Sequence, residues 1–208
     1  MAEPRFDPSK AVKFDLQHGL VHRDGAPPTV LVPLGGLLAL CAAAGQDAGH
    51  AFGRAVGAAM GGRVAARLAT NNTGASPAKP DNAGAADAVR AASVEAVVEH
   101  LGGELALGGF GSLAIERWGR AFVLVVDHAP LAAAGDVLLE AILEGAIIAA
   151  TGRTVRVGLL DRDQARARFF VGSNAAIEQV WTWIAEGLPW AEALAKLQGN
   201  EADARGGA

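Results

Sequence analysis

A chain of 208 residues and 21.1 kDa is long enough for one domain that buries about 70% of its unfolded surface. Apolar residues make up 51% and charged residues 19%, which excludes wholesale disorder. A net charge of -4 and a pI near 5.7 remove any electrostatic reason to seek nucleic acid or an anionic membrane surface, and one cysteine, Cys41, excludes an intrachain disulfide and a multi-thiolate metal centre.

In chain order, residues 1–13 read as a disordered N-terminus. The opening MAEPRFDPSK carries acids and prolines with no apolar run behind it, so a secretory leader is not expected and the expected location is the cytoplasm. Residues 14–172 read as the folded domain. Phe14 to Val21 and Thr29 to Val32 have extended character around a turn near Asp24-Gly25 and Pro27-Pro28, which predicts a short hairpin or two edge strands. Leu34 to Leu68 is dominated by Ala, Leu and Gly and predicts two helices broken near Ala44-Gly45-Gln46-Asp47, with Asp47 capping the second.

That second helix carries Gly49, Gly53, Gly57 and Gly61 at four-residue spacing. Each glycine costs about 0.8–1 kcal/mol of helix propensity, so a bare stripe needs a compensating contact. The expected contact is a second backbone pressed against it, at a core or a dimer seam; scattered glycine from composition alone is the other reading. Residues 70–86 (TNNTGASPAKPDNAGAA) lack apolar periodicity and predict a flexible loop; the Asn71-Asn72-Thr73 sequon inside it reads as a chance match.

Ser93 predicts the cap of a helix running through Leu101 and stopped by Gly102-Gly103. Ser112 to Trp118 and Ala121 to Asp127 form a hairpin joined by Gly119-Arg120. Asp136 opens an apolar helix that Thr151-Gly152-Arg153 closes, too short and too often interrupted by Glu140 and Glu144 to cross a bilayer. A second hairpin pairs Thr154 to Leu160 with Ala167 to Val171 through Asp161-Arg162-Asp163-Gln164. Residues 173–198 form a Trp-rich helical segment, with helices at Asn174 to Glu186 and Trp190 to Leu197, and 199–208 a disordered tail. The order of elements predicts an α+β fold: one domain whose antiparallel sheet of two hairpins packs against helices on one side.

Candidate chemistry is sparse. His18 and His22 are four apart, but in an extended segment that places them roughly 13 Å from each other, too far to share a metal ion. His128 beside Asp127 is a conceivable general base, yet neighbours on a strand point to opposite faces. Gly108-Gly109-Phe110-Gly111 precedes a strand and not a helix, which disqualifies it as a phosphate cradle; Ser112 has no G-x-S-x-G setting. Cys41 reads as an inert small hydrophobe, Asp161 and Asp163 as turn residues, and Arg117, Trp118 and Arg120 as a solvated hairpin end. No catalytic residue, metal ligand or cofactor is expected. The expected ligand or dimer seam comprises Gly49, Gly53, Gly57 and Gly61 with Val137, Leu138, Ile142 and Ile147. Trp181, Trp183 and Trp190, in a chain without tyrosine, are the expected partner-binding residues, with self-packing as the alternative.

The segment VLVPLGGLLALCAAAGQDAGHAFGRAVGAAMGGRVA, with VEAVVEHLGGELALGGFGSLAIERWGRAFVLVVDHAP and LLEAILEGAIIAATGRTVRVGLLDRDQARARFFV, resembles the 4-vinyl-reductase-type domain, a relative of the transport protein particle subunits. The resemblance covers about two thirds of the chain. It implies a cytoplasmic, non-catalytic scaffold or binding module for an apolar small molecule or protein partner, expected here as a homodimer. Many such domains end in a cysteine-containing segment; the matching stretch, Ala165 to Val171, has none, which argues against a metal or redox role. A second resemblance is to the non-catalytic, oligomeric accessory protein of bacterial cellulose synthase. Its GR-x2-G-x2-MG-x-R pattern is approximated by Gly53-Arg54, Gly57, Met60-Gly61 and Arg63, and its LEG by Leu143-Glu144-Gly145. That resemblance implies a structural role in a cellulose synthase complex.

Overall fold

The computed structural model describes residues 5–23, 29–73 and 82–206. In chain order these form α1 (Pro8–Ala11), β1 (Val12–Asp15), β2 (Leu20–Arg23), α2 (Leu34–Ala44), α3 (Gln46–Thr73), α4 (Asn82–Ala91) and α5 (Val94–Leu107). There follow β3 (Ser112–Trp118), β4 (Ala121–Asp127), α6 (Asp136–Thr151), β5 (Arg156–Asp163), β6 (Arg166–Gly172), α7 (Asn174–Ala185) and α8 (Trp190–Gly206). The fold is α+β, with a two-stranded and a four-stranded antiparallel sheet.

The four-stranded sheet has the order β3-β4-β6-β5. Gly119, at φ +61°, takes the left-handed first position that a tight β3–β4 connection requires, and pairs Trp118 with Ala121. Alternate residues of β4 serve two cores. Leu124 and Val126 pack with α3, α5 and α6, while Val123 and Val125 pack with α7 and α8. Helices therefore cover both faces, and the expectation of one covered face is corrected. The signal was the AFVLVVD run of β4, apolar nearly throughout because helices cover both of its sides beyond Phe122.

The close contact expected of the glycine stripe is made within the chain. A Cβ on Gly53 would stand 2.7 Å from the Cβ of Ala141; one on Gly57 would fall inside the carbonyl oxygen of Ile142, and one on Gly61 inside that of Ala146. Gly145 reciprocates from α6, where a Cβ would strike the Arg54 carbonyl. Two helices thus touch backbone to backbone, and their flanks supply Met60, Val64, Leu139, Ile142 and Leu143 to the core.

Several boundaries differ from those expected. The run 14–21 is broken by a turn that the carboxylate of Asp15 closes by accepting from the His18 N–H (3.0 Å), so the hairpin pairs 12–15 with 20–23. The turn expected at Asp24 to Pro28 lies outside the described residues. α3 begins at Gln46, with Asp47 inside its first turn, and runs to Thr73; α4 resumes at Asn82. Helix therefore occupies both ends of the loop expected over 70–86, and 74–81 lies outside the described residues. α5 passes through Gly102 and Gly103, which lie against Leu113 and the ring of Phe6, and ends at Leu107. α8 continues through most of the segment expected to be a disordered tail.

Asp136, Glu140 and Glu144 share one face of α6 at four-residue spacing, and that face lies along β5, an edge strand. Glu140 accepts the backbone N–H of Leu159, Glu144 accepts that of Val157 (3.3 Å), and Asp136 takes Arg162 Nε at 2.8 Å. Burial pushes the Glu140 carboxyl up against the opposing Leu159 N–H and Arg156, and the neighbouring Asp136 and Glu144 add to the rise. A folded value above the unfolded one means that stability falls as pH rises through the interval between them. Glu140→Gln, which keeps an acceptor for Leu159, is expected to melt higher than the parent at pH 7 and level with it at the acid end of that interval, as thermal melts at the two pH values will register.

Candidate functional site

At the elbow between α2 and α3, above the start of α6, lies a hollow of about 270 Å³ lined by Leu38, Cys41 and Ala42, by Gly49, and by Val137 and Leu138; Gln46 supplies polar atoms at its margin. Gly45 ends α2 with φ +90°, a left-handed bend that lets the two helices splay instead of running on as one rod. A Cβ on Gly49 would stand 3.7 Å from Cys41 Cβ, an ordinary contact, so a small residue here leaves the space open without the backbone closeness seen further along α3.

The residues expected at a seam thus divide. Gly49, Val137 and Leu138 line the hollow. Gly53, Gly57, Gly61 and Ile142 belong to the α3–α6 crossing, and Ile147 packs against the main core. The tryptophans expected to meet a partner lie on the second face of the sheet. Trp183 is buried beneath the Lys196 ammonium, 4.4 Å from the ring centroid. Trp190 stands edge-on to Trp118 at 4.8 Å, and the Trp181 indole N–H donates to the Leu159 carbonyl (2.9 Å) while the side chain keeps part of its surface in solvent. Gln198 bonds both the Arg120 N–H and the Trp118 carbonyl, fastening α8 to the β3–β4 turn.

The polar residues weighed for catalysis do not converge. His128 is exposed in a left-handed conformation (φ 56°), and Asp127 is engaged by Arg166, whose hydrogen bond holds its carboxyl below the usual range. Glu116, a further carboxylate that could join them, sits at the opposite end of β3, accepting from the Trp118 indole N–H and Arg168. Asp161 pairs with Arg168. His18 lies in the first turn and His22 on β2; among the described residues no three His, Cys, Asp or Glu side chains gather as metal ligands would. No described helix is long and apolar enough to span a membrane.

Sequence reasoning missed a second cluster. Glu104 of α5, wholly buried, receives Arg63 through Nε at 2.9 Å and Nη2 at 2.7 Å, both on Oε2. Arg23 Nη2 reaches the same oxygen at 3.2 Å and the Glu104 carbonyl at 3.3 Å, and Arg67 Nη2 meets Oε1 at 2.5 Å. Burial pushes the Glu104 carboxyl up, but the Arg63 hydrogen bond and the charges of Arg63, Arg67 and Arg23 outweigh it and leave it below the usual carboxylate range. The available signal was two arginines four apart, Arg63 and Arg67, in a helix rich in Ala and Gly.

No family model matches the chain, and no curated protein matches it. Among solved structures it is similar to the phenol-responsive sensory domain of the transcription activator PoxR, crystallised with phenol, at 15% identity and a TM-score of 0.47 over 91% of this chain and 92% of that one.

Proposed function

We propose that this protein is a non-catalytic binding module that holds an apolar small molecule at the α2–α3 elbow and works as a homodimer. The observation that carries the reading is the hollow. Its walls are hydrocarbon and one thiol, with a single polar residue at the margin, the usual composition of a site that selects by shape and apolar area. An apolar cavity of about 150 Å³ suffices for benzene, so this one has room for a one- or two-ring aromatic or a short branched chain. The resemblance to 4-vinyl-reductase-type domains supports the same reading.

Dimerisation is inferred from the N-terminal layer. Between Ala11 and Gly49 no described residue is buried, and α2, made only of Leu, Gly, Ala and Cys, buries none of its eleven residues. A helix apolar on all sides is ordinarily an interior helix. Among the described residues, eight of the twelve large apolar side chains that stay exposed fall between residues 14 and 52, including Leu16, Val30, Leu31, Val32 and Leu40. At roughly 100 Å² each they amount to about 800 Å², one side of a standard protein interface. A second copy offers an identical apolar layer and covers both at once.

Two measurements test this. In saturation-transfer NMR with indole and toluene as probes, the parent chain is expected to bind, while Gly49→Leu, whose added side chain fills the hollow, is expected to lose binding at least tenfold with its melting transition kept. No binding of either probe to the parent would remove the small-molecule reading. In light scattering after size exclusion, the parent is expected at twice the chain mass and Leu40→Glu, which places a charge on the exposed side of α2, at the monomer mass. A monomeric parent at micromolar concentration would remove the dimer.

A further inference from the structure

Two acid-and-arginine clusters are built on buried carboxylates in this protein. Along α6, Asp136, Glu140 and Glu144 face Arg54, Arg156 and Arg162, three carboxylates for three guanidiniums. Around Glu104, Arg23 and Arg63 crowd a single carboxylate oxygen, and Arg67 takes the other. Oε2 is filled by the N–H groups already on it. Nε and Nη1 of Arg23 and Nη1 of Arg63 make no hydrogen bond among the described residues. Their side chains are 10% and 12% exposed, and none of these donors is fully buried, so water or a small ion reaches them. Each guanidinium keeps donors beyond those that Glu104 uses, and a planar fork of N–H groups is shaped for an ion with two or more oxygens.

We propose that Arg23 and Arg63 form a binding site for a small oxyanion of the phosphate type at the rim of the Glu104 cluster. The site is separate from the apolar hollow: Arg63 lies fourteen residues along α3 from Gly49, about 21 Å at the helical rise. It stands whether or not the hollow takes a ligand. Burial, ahead of the opposing pull of Glu104, already holds Arg23 below the ordinary guanidinium value, so a second anion beside it relieves an existing cost. Arg23 belongs to the β1–β2 hairpin, which buries none of its own residues, and Arg63 to α3, which supplies Met60, Val64, Ala65 and Leu68 to the core. An ion held by both ties the N-terminal layer to α3.

The test uses the full chain at constant ionic strength, with sodium phosphate, sodium acetate and sodium chloride compared by calorimetric titration and thermal melting. Phosphate is expected to bind saturably in the millimolar range or tighter and to raise the melting temperature; chloride at matched ionic strength is expected to do neither. Saturable binding of acetate with the same dependence on Arg23 supports the oxyanion site and assigns it to carboxylates as well. Loss of one charge-assisted hydrogen bond costs about 1.5–3 kcal/mol, so Arg23→Gln is expected to weaken phosphate binding by roughly 10- to 150-fold. Arg23→Lys keeps the charge without the fork and is expected to fall between. Phosphate acting no differently from chloride on the parent chain overturns the proposal whatever the variants do, and so does an Arg23→Gln chain that folds and keeps the full phosphate response.

Discussion

Gly57→Ala is expected to destabilise this protein by about 3 kcal/mol or more, or to prevent folding, although alanine is the best helix former and Gly57 lies mid-helix. The added Cβ would overlap the Ile142 carbonyl and stand 2.8 Å from the Ala146 amide, both main-chain atoms that no rotamer change can move. Relief requires separating α3 from α6, which withdraws the core side chains on both flanks of the crossing. Gly62→Ala, five residues along the same helix, is the matched control. Nothing lies within 4 Å of its added methyl, so the ordinary propensity gain of about 0.5–1 kcal/mol is expected with the opposite sign. Urea unfolding of the two variants beside the parent settles the matter; a Gly57→Ala protein as stable as the parent is incompatible with the backbone contact described.

Glu104→Ala is expected to cost about 3–5 kcal/mol, because it strands arginines that are nearly desolvated, and to lower the melting temperature by on the order of 10 °C. The sign of the pH dependence follows from the lowered carboxyl of Glu104. A folded value below the unfolded one, about 4.3, gives stability that is fully present above that pH and is lost as pH falls through the folded value. The parent should therefore lose stability steeply below about pH 4, and Glu104→Ala should show a shallower acid limb. Chemical denaturation at pH 3.5 and pH 7 reads the difference; parallel curves for the two proteins would place the acid sensitivity elsewhere.

Both hairpins of the large sheet were legible because their turns are short and the β-rich runs on either side are unbroken, and α6 was legible as an apolar run bounded by Asp136 and Gly152. The need of the glycine stripe for a close backbone was also legible. The seam expected with Val137, Leu138, Ile142 and Ile147 named the facing helix, but not which of its residues meet the stripe; only the fold brings Ala141, Gly145 and Ala146 opposite. Glycine misled once, at Gly102-Gly103, where packing against Phe6 and Leu113 carries α5 onward to Glu104. With the helix expected to stop at Leu101, the buried acid and its arginines had no common setting in the sequence. The hollow was half legible: Gly49, Val137 and Leu138 were singled out, but Leu38, Cys41 and Ala42 join them only through the bend at Gly45, whose φ the residue type permits and does not dictate.

An unprotected rim on a sheet invites another chain to add itself strand by strand, the first step toward fibrils and precipitates. On the β5 side that step is obstructed from within, because two of the main-chain donors an incoming strand would need, those of Val157 and Leu159, are held by carboxylates reaching down from α6. A newcomer must displace both acids and strand them out of water beside one another. This flank therefore keeps the protein from growing sideways into open-ended polymers.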